Sequence, residues 1–133
     1  MKKPAALLLF LLPLLGLADV AKISAAEAAR LVADGKAVLV DVREPGEWAE
    51  SGVAAPAVLL PKSEFDDGQQ GDWKDFLAKV GDKQIITYCR SGRRSDAVAA
   101  ALEKQGHKVA NAGGFGDWQK AGLPVRPAAA KKP

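Results

Sequence analysis

Gln84-Ile85-Ile86-Thr87-Tyr88 runs directly into Cys89-Arg90-Ser91-Gly92-Arg93-Arg94-Ser95, and this stretch decides the fold. Ile85 to Tyr88 are β-branched or aromatic, and the run is bounded by Asp82, which predicts a buried strand. Asp96 to Gln105 then reads as a helix, with Val98 and Leu102 four residues apart and Gly106 as its stop. A strand, a tight loop and a helix in succession are one half of a β-α-β unit. The rest of the chain repeats the alternation. Ala37 to Val40 is a short apolar run with the length and Val content of a strand buried on both faces. Val58 to Leu60 and Val109 to Asn111 read as two further strands. Helices are predicted after the Ser24–Glu27 capping box through Ala33, over Pro45 to Glu50, from Trp73 to Val80 behind Asp72, and over Phe115 to Ala121. Ser63 to Gly71 reads as a loop with at most one helical turn. Trp48, Trp73 and Trp118 read as core residues, and His107 as a solvated one. Gly122-Leu123-Pro124 is expected to end the ordered fold. This pattern predicts an open α/β domain with a mainly parallel central sheet and helices on both faces. Ligands of such sheets sit beyond the carboxyl ends of the strands. Asp41-Val42-Arg43 and the loop after Tyr88 put polar residues there.

Composition narrows the function. The chain has 133 residues, a length that sets a prior of one domain. One Cys excludes an intramolecular disulfide framework, and one His leaves no His cluster for a metal, so neither metal nor cofactor is expected. Without residues 1–18 the basic count falls from 19 to 17, against 16 acidic residues. A near-neutral body argues against nucleic-acid binding.

The first residues read as an address. Lys2 and Lys3 precede an uncharged run from Ala5 to Leu17, 13 residues long. That is short of the roughly 20 that span a bilayer as a helix. Gly16-Leu17-Ala18 supplies small residues at a cleavage point. Residues 1–18 therefore read as a secretory signal peptide, cut after Ala18 or, as a weaker alternative, after Ala21. The expected organisation is a cleaved leader over 1–18, a folded domain over 22–126 and a disordered tail over 127–133. The mature protein is expected in the periplasm as a monomer, without stable membrane association.

The loop carries the chemistry. The strand delivers Cys89 to its own carboxyl end, and a helix begins just beyond. Backbone N–H groups in such a turn curl around one atom, and Gly92 lets the chain curl. The helix N-terminus adds partial positive charge. Arg90, Arg93 and Arg94 add full charges. Each effect favours a thiolate over a thiol, whose free pKa is about 8.5. Three cations at a helix start oppose the helix dipole, a conflict that an anionic ligand would relieve.

Cys89-Arg90-Ser91-Gly92-Arg93-Arg94-Ser95 resembles the active-site loop of the rhodaneses, the thiosulfate sulfurtransferases. Asp41-Val42-Arg43-Glu44-Pro45-Gly46-Glu47-Trp48 is similar to their signature after the first buried strand. Gly113-Gly114-Phe115-Gly116-Asp117-Trp118 through Val125 resembles their C-terminal segment. The matches occur in family order from about Ser24 to Val125, and the size is that of small periplasmic single-domain members. One departure is Ser51-Gly52-Val53-Ala54-Ala55-Pro56-Ala57, which lacks the family's usual His.

The resemblance implies the rhodanese fold and a Cys89 persulfide. Cys89 would be the nucleophile. Arg90, Ser91, Gly92, Arg93 and Arg94 would bind substrate, with Arg90 and Arg93 on the thiosulfate oxygens and Arg94 bonded inward. Asp41 and Arg43 would brace the site. The donor would be thiosulfate or another sulfane compound, and the acceptor cyanide or a thiol. Related phosphatases and arsenate reductases carry one more residue between Cys and Arg, and the span from Cys89 to Arg94 is of the sulfurtransferase length. A sulfur-binding or interaction module without turnover is the alternative from another class.

Overall fold

The computed structural model describes residues 20–128, so the predicted leader, its cleavage point and residues 129–133 of the tail lie outside the described residues. Four strands form a parallel sheet: β1 (Ala37–Asp41), β3 (Val58–Leu59), β4 (Gln84–Cys89) and β5 (Val109–Gly114), in the order β3-β1-β4-β5. The predicted parallel α/β architecture is what forms. A second, two-stranded sheet pairs β2 (Val53–Ala54) antiparallel with β6 (Val125–Arg126). This second sheet corrects two readings. Val53-Ala54 is a strand of its own, and the ordered chain continues past Pro124. The Arg126 guanidinium explains the extension, donating to the carbonyls of Ala55 and Ala57 at 2.9 and 2.8 Å. A two-residue strand carries too short a pattern for periodicity to reveal it.

Period-two alternation assigns the sheet's two faces. Val40, Val42, Ile85, Cys89 and Val109 point to one side, where they pack with Phe65, Trp73, Val98 and Leu102. That side is covered by α3 (Lys62–Asp66), α4 (Trp73–Lys79) and α5 (Arg93–Lys104). Ala37, Leu39, Ile86, Tyr88, Ala110 and Ala112 point to the other side, against Ala25, Ala28, Phe115 and Trp118. The cover there is α1 (Ala25–Ala33) and α6 (Phe115–Lys120). Ser24 caps α1 as predicted, its hydroxyl accepting from Glu27 N–H at 3.0 Å. The remaining helix, α2 (Pro45–Ser51), follows β1 directly, with Glu44 and Glu47 forming its capping box.

Two boundaries and two burials differ from the pattern reading. Helix α5 begins at Arg93, three residues before Asp96, so Arg93 and Arg94 are its first turn. Hydrophobic periodicity could not see that turn, because its residues are polar. Strand β5 runs to Gly114, well past Asn111. Trp48 is half-buried and is not a core residue, whereas Trp73 and Trp118 are buried, each donating its indole N–H to a proline carbonyl. His107 is likewise only half-exposed.

Candidate active site

Cys89 ends β4 on the face covered by α3, α4 and α5, fully buried at the base of the loop. Gly92 sits at φ 94°, a conformation strained for any residue with a β-carbon. The turn it makes aims backbone N–H groups at sulfur. Gly92 N–H donates to Sγ at 3.0 Å and Ser95 N–H at 3.4 Å; the Ser95 hydroxyl also lies 3.4 Å from Sγ. Burial alone would push the Cys89 thiol up. Hydrogen bonds from the Ser95 hydroxyl and from the Ser95, Gly92 and Ser91 N–H groups outweigh it, and the thiol is held below its ordinary value. The cradle of donors, more than arginine charge, is what lowers the thiol.

The arginines have a partner that sequence reasoning missed. Glu47 of α2 accepts two hydrogen bonds from Arg94, at 2.7 and 2.8 Å, and a longer one of 3.3 Å from Arg90 Nε. Glu47 is 19% exposed and Arg94 32%, whereas Arg90 is 70% exposed. Arg94 thus closes the loop by bonding across to another helix. Arg93 is exposed and has no ion-pair partner among the described residues. Much of the charge conflict at the start of α5 is resolved within the chain. No sequence signal could have joined Glu47 to Arg94, because the pairing spans 47 positions.

Hydrogen bonding by Arg94 is the leading cause that holds the Glu47 carboxyl down to about 2 from its ordinary 4.5. A lowered folded-state value means stability that is present above pH 4.5 and lost as pH falls toward 2. Glu47→Gln should cost about 1–3 kcal/mol at neutral pH, the range for hydrogen bonds between charged groups. Urea unfolding followed from pH 6 to pH 2.5 should show a flatter acid limb in the variant than in the wild type. Identical limbs would show that the pair contributes nothing.

Asp41 ends the neighbouring strand β1, Arg43 lies just beyond it, and both are buried. The Asp41 carboxylate accepts from Arg43 Nη2 at 2.7 Å and from the Arg43 backbone N–H at 2.9 Å. Arg43 also donates to Ser51 Oγ and to the Gly52 carbonyl, each at 2.9 Å, and its guanidinium lies 4.6 Å from the Phe115 ring centroid. The Tyr88 hydroxyl accepts from Ala54 N–H at 3.0 Å. The structure does not bring Asp41 or Arg43 to the sulfur. It places them where they fasten the end of α2, and α2 presents Glu47 to the loop.

Gly114 was also missed as a site residue. It pairs with Cys89 across β4 and β5. A β-carbon there would collide with the Arg90 carbonyl oxygen, so only glycine lets β5 and the loop approach this closely. Ser91 and Gly92 form one edge of a groove shared with Asn111, Gly113, Lys22 and Lys120. Among the described residues, no group of His, Cys, Asp and Glu side chains could hold a metal ion.

Known proteins resemble this chain in sequence and in fold. A candidate mitochondrial thiosulfate sulfurtransferase of Schizosaccharomyces pombe is 32% identical over 96 residues, covering 67% of this chain and 66% of its own. A thiosulfate sulfurtransferase of Actinobacillus succinogenes is 36% identical over 99 residues, covering 73% and 82%. The chain thus spans just under two thirds of the first relative's length and about four fifths of the second's. A solved Rhodopseudomonas palustris protein of unknown function, for which tyrosine phosphatase activity has been suggested, superposes with a TM-score of 0.68. It is 30% identical, and the match covers 80% of this chain and 85% of that one. Residues 24–121 match the family model described as the rhodanese-like domain, and with three quarters of its length inside that match the chain belongs to the rhodanese-like domain family.

Proposed function

We propose that this protein is a periplasmic thiosulfate sulfurtransferase that works through a persulfide on Cys89. Sulfur transfer in general is supported by relatives named sulfurtransferases. The observation that carries the finer reading is the cradle of N–H groups converging on one buried sulfur. The Cys89 thiolate attacks the outer sulfur of thiosulfate, the S–S bond breaks, and sulfite leaves with the bonding pair. An acceptor, cyanide or a thiol, then attacks the outer sulfur of the persulfide, and the thiolate is released. No second Cys exists to form a resolving disulfide.

Arg93 is the cation left to meet a dianion, with the exposed Arg90 beside it on a longer 3.3 Å contact to Glu47, because Arg94 is engaged with Glu47. Arg93→Ala should lower kcat/KM for thiosulfate by roughly 10- to 150-fold, the loss of one charge-assisted hydrogen bond. The persulfide, once formed, should still pass its sulfur to cyanide at the wild-type rate. Steady-state kinetics with varied thiosulfate checks this, and an unchanged kcat/KM would remove Arg93 from the donor site.

The suggestion made for the Rhodopseudomonas palustris protein raises phosphoryl chemistry as a second reading. The short loop counts against it, and so does the full burial of Cys89, which favours a small donor over a phosphorylated protein. An arylphosphate assay beside the cyanide–thiosulfate assay decides between them. Failure of both assays would favour a sulfur-binding module without turnover.

The periplasmic assignment rests on residues 1–18. Mature protein should begin at Asp19 and leave the cell on osmotic shock. An intact Met1 on membrane-bound protein would replace the cleaved leader with an anchor.

A further inference from the structure

Asn111 is a buried polar side chain on β5 that the proposed sulfur chemistry does not use. All of its hydrogen bonds run to the loop or its flank. Nδ2 donates to the Gly92 carbonyl at 2.9 Å, while Oδ1 accepts from Gly113 N–H at 3.0 Å and from the Ser95 hydroxyl at 2.8 Å. The Ser95 carbonyl is tied separately, accepting from the Thr87 hydroxyl at 2.9 Å. Ser95 is thereby held in place, and rotation of its hydroxyl is the freedom left to it.

That hydroxyl faces two acceptors. Asn111 Oδ1 is 2.8 Å away and Cys89 Sγ is 3.4 Å away, each within reach for its element. A serine hydroxyl has one hydrogen to give. We propose that Asn111 is a positioning residue that competes with the Cys89 sulfur for the Ser95 hydroxyl proton. With a thiol, the S–H donates to Ser95 Oγ and the hydroxyl donates to Asn111. With a thiolate, the hydroxyl turns to the sulfur and the Asn111 bond is given up, while Gly113 N–H still satisfies Oδ1. Asn111 therefore opposes thiolate formation and confines Ser95's donation to states in which the sulfur carries charge. The proposal rests on the reading of Cys89 as the nucleophile.

The charged side chains in the loop and the first turn of α5 are Arg90, Arg93, Arg94 and Asp96, and Glu47 of α2 and Asp117 of α6 bond against that region. None of them is altered in the test. The experiment is the pH dependence of Cys89 alkylation by iodoacetamide in the full mature chain. Asn111→Ala should lower the midpoint by about one unit, because the hydroxyl then serves the sulfur alone. Ser95→Ala should raise it, and Asn111→Ala should have no further effect in the Ser95→Ala background. Asn111→Asp keeps the acceptor and holds the proton more tightly. It should raise the midpoint, and by more with Ser95 present than without it; this pair serves if Asn111→Ala does not fold.

If Asn111 only shapes the loop, its removal loosens the N–H cradle, and the midpoint rises with or without the Ser95 hydroxyl. That result, or an unchanged midpoint, overturns the proposal. The readout needs no sulfur transfer. Loss of thiosulfate activity in the wild type would defeat the functional reading while leaving the midpoint comparison intact.

Discussion

Cys89→Ser should abolish sulfur transfer from thiosulfate to cyanide, leaving no turnover above the uncatalysed rate. The cradle is built for a polarizable anion. It holds the thiol below its ordinary value with N–H and O–H donors, but a serine hydroxyl starts from far higher and stays protonated. No other thiol exists in the chain to substitute. The fold should survive, because oxygen is smaller than sulfur and can take the same hydrogen bonds. Circular dichroism and urea unfolding should match the wild type within about 1 kcal/mol. Residual transfer would locate the sulfur-carrying group somewhere other than the loop.

The second large effect concerns stability. Arg43→Ala should destabilise the protein by about 3–5 kcal/mol, the range for removing one partner of a buried ion pair. Asp41 would stay buried with its charge uncompensated. The loss extends beyond the pair. Arg43 also holds Ser51 Oγ and the Gly52 carbonyl, so the end of α2 is released. Glu47 sits on that helix and fixes Arg94, so loop order should fall with it. Urea unfolding should give the stability loss, and alkylation of Cys89 should become faster in the folded variant as the loop opens. A variant as stable as the wild type would mean that the pair braces nothing. Asp41→Asn provides a control, since it removes the charge and keeps an acceptor for the Arg43 backbone N–H.

These two effects separate what was legible in the sequence from what was not. The parallel sheet was readable because Ala37–Val40 is a continuous apolar run and Ile85–Tyr88 is β-branched and aromatic, each with turn signals nearby. Cys89 was readable because a strand, Gly92 and a helix start lie side by side in the chain. Its cradle is local, and local structure is what spacing reports. The roles of the arginines were not readable. Three positive charges in five positions suggested an anion site, yet Glu47 from α2 answers two of them. Asp41 and Arg43 were read as support, but the route, from Arg43 to the end of α2 and from Glu47 of that helix to Arg94, was not legible. Asn111 gave no signal at all. A polar residue in a short strand pattern reads as a strand end, and only the tertiary fold brings its amide to Gly92 and Ser95. Contacts between residues far apart in sequence decide these functions.

The central claim is that Cys89 carries sulfur as a covalent persulfide. Intact-mass analysis of the mature protein after brief incubation with thiosulfate tests it most directly. The account predicts a gain of one sulfur atom per chain, reversed by cyanide and absent in Cys89→Ser. An unchanged mass, in a protein that still consumes thiosulfate, would contradict it.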